Sequence, residues 1–178
     1  MRISAKADYA VRAAIELAAA PDGKPICAER LATAQGIPLD FLHNILGELR
    51  HAGIVRSHRG FDGGFRLARA ADQVTIADII RAVEGPLATV RGGPPEYSTY
   101  AGAATALPRV WIAVRKNLRS VVEHVTVADV ARGQLPKAID RLAEDPDAWI
   151  TRQPKRESPP STLDKEVASS TTIGPAQR

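Results

Sequence analysis

The stretch Ile26-Cys27-Ala28-Glu29-Arg30-Leu31-Ala32-Thr33-Ala34-Gln35-Gly36-Ile37-Pro38-Leu39-Asp40-Phe41-Leu42-His43-Asn44-Ile45-Leu46-Gly47-Glu48-Leu49-Arg50-His51-Ala52 holds two helical patterns with almost nothing between them. After Pro25 a helix is expected from about Ile26 to Gln35, with Ile26, Arg30, Leu31 and Ala34 toward the buried side and Gly36 closing it. Pro38 then suits a first helical turn, and Leu39, Leu42, Ile45, Leu46 and Leu49 repeat at helical period as far as Ala52. Two helices joined by so short a glycine-containing turn match the helix-turn-helix pattern, which many purely structural helix pairs share. The period next changes to 2. Ile54-Val55-Arg56-Ser57-His58-Arg59 and Phe65-Arg66-Leu67-Ala68-Arg69 flank Gly60-Phe61-Asp62-Gly63-Gly64, so a β-hairpin with a glycine-rich tip is expected, placed as a wing.

Upstream, Tyr9, Ala10, Ala13, Ala14, Leu17 and Ala18 recur at three- and four-residue intervals between Ala5 and Ala20, one face of a helix that Ser4 can cap. Downstream, Thr75-Ile76-Ala77-Asp78 has the form of a capping box and opens a helix that stops at Gly85-Pro86. Residues 86–105 are rich in glycine and proline and read as an irregular connection that contacts an effector. Leu107, Val110, Val114, Leu118, Val121 and Val125 then form a helical seam that one small domain does not cover, so a homodimer is inferred. Thr126-Val127-Ala128-Asp129 opens a short following helix ending near Gly133. The expected architecture is mainly α with a small β-hairpin: a winged helix-turn-helix domain over 1–85, the connection over 86–105, and a long dimerisation helix with its short successor over 106–137. The tail, 138–178, reads as largely disordered beyond about residue 150.

Composition narrows the function. The chain has 178 residues, 44% apolar and only 4% aromatic, enough for one aliphatic core plus a tail. The apolar N-terminal helix is interrupted by Arg12 and Glu16, and no uncharged run is long enough to span a membrane, so a soluble cytoplasmic protein is expected. His43, His51, His58 and His124 form no zinc-like spacing and no paired acids stand out, so no catalytic residues and no metal ligands are assigned and an enzyme is not expected. The net charge is a modest +4, but five arginines face one acid between residues 50 and 69: Arg50, Arg56, Arg59, Arg66 and Arg69 against Asp62.

Those positives, on a hairpin, can neutralise phosphates of double-stranded DNA; a solvated surface is the other reading. A helix reading the major groove needs polar side chains near its N-terminal end. Asp40, His43, Asn44 and Gly47 lie there. Asn44 can pair with adenine, His43 can donate to a purine acceptor and Asp40 can accept from cytosine, while Asp40 can equally serve the helix dipole alone. Phe61 at the wing tip either wedges into a minor groove or packs beneath the wing.

With these elements in place the chain resembles the IscR/NsrR/BadM-type family of bacterial winged-helix transcriptional regulators over about residues 1–137. The resemblance is carried by Met1-Arg2-Ile3-Ser4-Ala5-Lys6-Ala7-Asp8-Tyr9-Ala10, by Leu46-Gly47-Glu48-Leu49-Arg50-His51-Ala52-Gly53-Ile54-Val55, by Arg59-Gly60-Phe61-Asp62-Gly63-Gly64-Phe65-Arg66-Leu67-Ala68, by Ile79-Ile80-Arg81-Ala82-Val83-Glu84-Gly85 and by Val125-Thr126-Val127-Ala128-Asp129-Val130. It implies a homodimer that crosses its long helices, binds a roughly palindromic promoter site and usually represses. It further implies base or groove reading at Asp40, His43, Asn44, Arg59 and Phe61, and backbone contacts near Ser4, Lys6, Tyr9 and Arg56.

The departures from the family are informative. Many members hold an iron-sulfur cluster through three cysteines in the connection, whereas residues 89–102 here contain none and Asp8 alone cannot replace them. No cluster and no other cofactor is expected. The single thiol, Cys27, is read as a buried structural residue. Phe61 replaces a tip proline, and Pro38 and Asp40 stand where small hydroxyl residues are frequent. Arg91, Glu96, Tyr97, Tyr100 and Trp111 are candidates to line a pocket for a small-molecule effector or to dock a protein effector, with simple bracing of the connection as the plainer reading. The competing function is an adaptor that keeps the winged-helix fold but regulates by binding a partner enzyme.

Overall fold

The computed structural model of the chain describes residues 2–60 and 63–152. Phe61 and Asp62 of the wing tip, and residues 153–178 of the expected tail, lie outside the described residues. In chain order the elements are α1 (Ala5–Ala18), α2 (Ala28–Gln35), α3 (Leu39–His51), β1 (Val55–His58), β2 (Gly64–Leu67), α4 (Ile76–Glu84), α5 (Leu107–Val122), α6 (Val127–Arg132) and α7 (Lys137–Ala143). The architecture is mostly helical with one antiparallel hairpin, β1 pairing β2 with Val55 opposite Leu67 and His58 opposite Gly64.

The core explains why these helices assemble. Ala7, Ala10, Ala13, Ala14 and Leu17 line the buried face of α1, and small side chains there let α2, α3, α4 and α6 all pack against one central helix. Leu42, Ile45, Leu46 and Leu49 of α3 are fully buried against it. Each such side chain contributes roughly 1.5–3 kcal/mol through the area it removes from water.

Helix α2 starts two residues later than its sequence pattern suggests. The amide of Ile26 donates to the Phe65 carbonyl at 2.9 Å and its carbonyl accepts from the Phe65 amide at 2.8 Å, so Ile26 is bridged to β2 as a single extended residue. An extended residue cannot also be helical, and Cys27 therefore becomes the N-cap. The buried side of α2 is Ala28, Leu31 and Ala32, while Arg30 and Ala34 face outward, contrary to expectation. Cys27 is exposed rather than buried, because the chain turns outward between the strand pairing and the helix. Similarly, Pro38 is the N-cap of α3 and not its first helical residue.

Both capping boxes form. The Asp78 amide donates to Thr75 Oγ1 at 3.1 Å and the Thr75 amide to the Asp78 carboxylate at 3.2 Å; the Thr126–Asp129 box is built the same way, at 3.1 and 2.8 Å. The two boxes lie side by side. Ile76 donates its amide to the Val125 carbonyl and Val127 donates to that of Val74, both at 2.9 Å. Val125 therefore belongs to this pairing and is buried, so α5 ends at Val122, earlier than the apolar spacing indicates. No residue of α5 itself is buried. Helix α7, in what reads from sequence as tail, follows directly on Pro136, a residue that starts helices well but cannot continue one. The chain divides into compact units between Leu142 and Ala143. In the second, the Trp149 indole N–H donates to the Ala143 carbonyl at 2.6 Å. No described helix is long and apolar enough to cross a membrane.

Candidate nucleic-acid interface

The apolar row of α3 is consumed by the core, which leaves the opposite row of the same helix in solvent. Asp40, His43 and Asn44 are all exposed there. Two side-chain contacts tie α3 to α1, Phe41 to Tyr9 and Glu48 to Lys6. The ring of Phe41 meets that of Tyr9 edge-on, centroids 5.9 Å apart at 82°, and the Arg12 guanidinium sits 5.5 Å above the Tyr9 ring. About two turns further along α3, the Lys6 ammonium pairs with the Glu48 carboxylate at 2.8 Å. Between these ties an open groove of about 650 Å³ is lined by Lys6, Phe41, His43, Asn44, Gly47 and Glu48.

The start of α1 borders this groove. Ser4 Oγ accepts the Ala7 amide at 3.0 Å as N-cap, and its hydroxyl donates to the Glu84 carboxylate at the end of α4. Ser4, Lys6 and Tyr9 are thus each engaged within the chain. Neither Phe41 nor Glu48 stands out in the sequence as a site residue. Their spacing from Asn44, three and four residues, places them on the α1-facing flank of α3, but partners more than thirty residues away leave no local trace.

The wing owes its position to glycine. A Cβ on Gly64 would come within 2.5 Å of the Ile26 carbonyl carbon and oxygen and 2.8 Å of the Cys27 nitrogen, so only glycine lets β2 lie this close. Along the hairpin, Arg56 is directly opposite Arg66, and paired residues share a face of the sheet. His58, two residues on, shares that face. Arg56, His58 and Arg59 are exposed; Arg66 is half-buried, and its Nε has no hydrogen-bond partner among the described residues. Arg69 leaves the expected stripe of positive charge, because its guanidinium turns 3.7 Å from the Asp78 carboxylate. Phe61 lies outside the described residues.

The candidate effector residues separate into two places. Tyr100 and Trp111, with Ala88, Thr89, Val90 and Val114, border a largely apolar hollow of about 380 Å³, and the Arg91 guanidinium lies 5.5 Å from the Tyr100 ring centroid. Tyr97 is 80% exposed and borders a smaller hollow of about 240 Å³ with Arg91 and Pro94. Glu96 is held by Arg115 at 2.6 Å, a hydrogen bond that keeps its carboxyl below the ordinary range. Along α5, Val110 is 51% exposed and Val114 is exposed as well, while Leu107, Leu118 and Val121 are half-covered.

A helix-turn-helix whose second helix exposes a polar row, followed by an arginine-bearing wing, has the form of a winged-helix DNA-binding protein. Residues 3–133 match the family described as Rrf2, Iron-dependent Transcriptional regulator, and the chain belongs to that family. The HTH-type transcriptional regulator Rv1287 of Mycobacterium tuberculosis H37Rv is 50% identical over 145 residues, covering 82% of this chain and 90% of that one. CymR of Bacillus subtilis 168 is 32% identical over 131 residues, covering 74% of this chain and 90% of CymR. The solved structure of CymR (YrzC), the global cysteine regulator of B. subtilis, matches with a TM-score of 0.65 at 30% identity over 75% of this chain and 98% of that one. T. potens IscR matches with a TM-score of 0.59 at 27% identity over 86% of this chain and 94% of that one. The chain is a DNA-binding transcriptional regulator and not an enzyme.

The family's description includes iron, and this chain's donors do not fit an iron-sulfur centre. Such clusters are held mainly by cysteine thiolates, and the whole sequence supplies one, at the N-cap of α2. Among the described residues no three His, Cys, Asp or Glu side chains converge in a way that could hold a metal ion.

Proposed function

We propose that the protein acts as a homodimeric repressor at a palindromic operator and does so without an iron-sulfur cluster. Helix α3 enters the major groove and reads bases through Asp40, His43 and Asn44. The wing, through Arg59 and Phe61, follows the adjacent minor groove, and Ser4, Lys6, Tyr9 and Arg56 contact the phosphates. The observation that carries this reading is the division of α3 into a fully buried apolar row and an exposed polar one. The helix α5, with no buried residue and with Val110, Ile112 and Val114 exposed, supports a dimer built along Leu107, Val110, Val114, Leu118 and Val121.

A band-shift experiment with the upstream region of the protein's own gene tests the proposal at two salt concentrations. Saturable binding that weakens steeply with salt is expected. If neither that region nor pooled genomic fragments shift, a role in binding a partner protein replaces it. Arg59→Ala should weaken cognate DNA more than random DNA; equal losses would reduce Arg59 to a phosphate contact. Sedimentation of the Val110→Asp, Val114→Asp double variant should report a monomer where the wild type is a dimer.

The effector site is proposed at the connection. The hollow beside Tyr100 and Trp111, with Arg91 at its rim, suits a small, partly aromatic molecule bearing an acidic group. Tyr97 extends this surface for a protein effector.

A further inference from the structure

We infer that Glu48 is a built-in competitor of DNA. It occupies the Lys6 ammonium that a backbone phosphate would take, and so sets how tightly this face holds a duplex. The inference rests on the reading of α1 and α3 as the DNA face.

An ion pair between Lys6 and Glu48 lines the groove. Lys6 Nζ and Glu48 Oε2 are 2.8 Å apart, and the two side chains are 33% and 40% exposed. Among the described residues they are the one lysine or arginine and the one carboxylate lining a groove that also contains His43, Asn44 and His51. A carboxylate and a phosphodiester present the same chemistry to an ammonium, an anionic oxygen accepting N–H bonds, so although the ammonium has three donors a phosphate must share its single positive charge with Glu48. Both groups are open to solvent, so exchange between the partners needs no unfolding. The carboxylate also stays behind as a negative charge facing the arriving phosphates, which adds repulsion to competition. The packing of α3 fixes Glu48 in this place: Leu46 and Leu49 on either side of it are fully buried, so its backbone cannot swing away.

An exposed pair of this type lowers the affinity of the competing partner by about 2- to 5-fold. Glu48→Gln keeps the shape and removes the charge. Binding of a labelled random-sequence duplex is followed by fluorescence anisotropy between about 50 and 200 mM salt, where phosphate contacts dominate. Wild type, Glu48→Gln, Lys6→Ala and the double variant are compared, with circular dichroism to establish that each is folded and Glu48→Ala as a second charge-removing variant.

Glu48→Gln is expected to bind about 2- to 5-fold more tightly, with a salt dependence steeper by up to about 0.9 per protomer, as Lys6 becomes free to neutralise a phosphate. In the Lys6→Ala background most of that gain should vanish. The inference is overturned if both Glu48 variants bind no more tightly than wild type. It is equally overturned if the gain is the same without Lys6, which would make it a long-range charge effect. If Lys6→Ala weakens binding but Glu48→Gln does not strengthen it, the competitor role alone fails. If Lys6→Ala, Asn44→Ala and Arg56→Ala all leave binding of this duplex and of the gene's upstream region unchanged, the DNA face itself is wrong.

Discussion

Gly64 and Arg66, two residues apart on β2, show how the wing is attached and where its charge is concentrated. Gly64 has φ of +153° and no room for a methyl group against Ile26 and Cys27. Gly64→Ala should therefore pull β2 off Ile26 at a cost of about 2–4 kcal/mol, seen as a fall of several degrees or more in the thermal unfolding midpoint. Arg66 stands directly across from Arg56, an arrangement of like charges that destabilises a free hairpin by a few tenths of a kcal/mol to about 1. A phosphate placed over the pair would turn repulsion into shared attraction. Arg66→Gln should thus raise the melting point by about 1–3 °C while weakening DNA binding, two opposite responses read by calorimetry and by anisotropy on the same preparation. A purely structural arginine would lower both.

At the level of elements, the helices of the winged domain were legible in the sequence because their signal is periodic and local. Leu42, Ile45, Leu46 and Leu49 announce α3 regardless of what lies opposite, and Thr75-x-x-Asp78 and Thr126-x-x-Asp129 announce two starts that both form. What spacing cannot reveal is pairing across the chain. That Ile26 would leave α2 to join β2, that Lys6 would meet Glu48, or that the segments before α4 and α6 would lie antiparallel depends on residues dozens of positions away. The exposure of Cys27 is hidden for the same reason: it follows from a backbone pairing of Ile26 that the neighbouring residues do not signal. Helix α7 is seven residues long with none buried, so its apolar positions carry little signal. The candidate DNA residues were legible as a set on α3, whereas the internal partners of Ser4, Lys6 and Tyr9 were not. Thr126→Ala tests the element most dependent on its cap. It removes two bonds to Asp129, and should cost about 1 kcal/mol, a drop of roughly 2–4 °C in the unfolding midpoint.

Across the whole molecule, three carboxylates that anchor the second half are held below their ordinary values, and each ties down α5 or α6. The Glu123 carboxylate accepts from Arg81 of α4, Glu96 accepts from Arg115 of α5, and Asp129 accepts from the Thr126 amide and hydroxyl. A carboxylate whose folded value is depressed gives stability that is complete above its unfolded value and is lost as pH falls through the folded one. The ordinary values are 4.5 for the glutamates and 3.8 for the aspartate, so these anchors should be indifferent to pH from neutrality down to about 5 and fail below about 4. Thermal unfolding followed across that range should show the midpoint falling in the acid limb, and Arg81→Met should remove part of the fall. The reciprocal amide bonds between Val74–Ile76 and Val125–Val127 carry a mechanical consequence. They rivet the far end of the long helix to the near end of α4, whose other end grips the Ser4 hydroxyl through Glu84. The C-terminal end of α5 and the first turn of α1 are thereby joined, through α4, by an unbroken chain of hydrogen bonds.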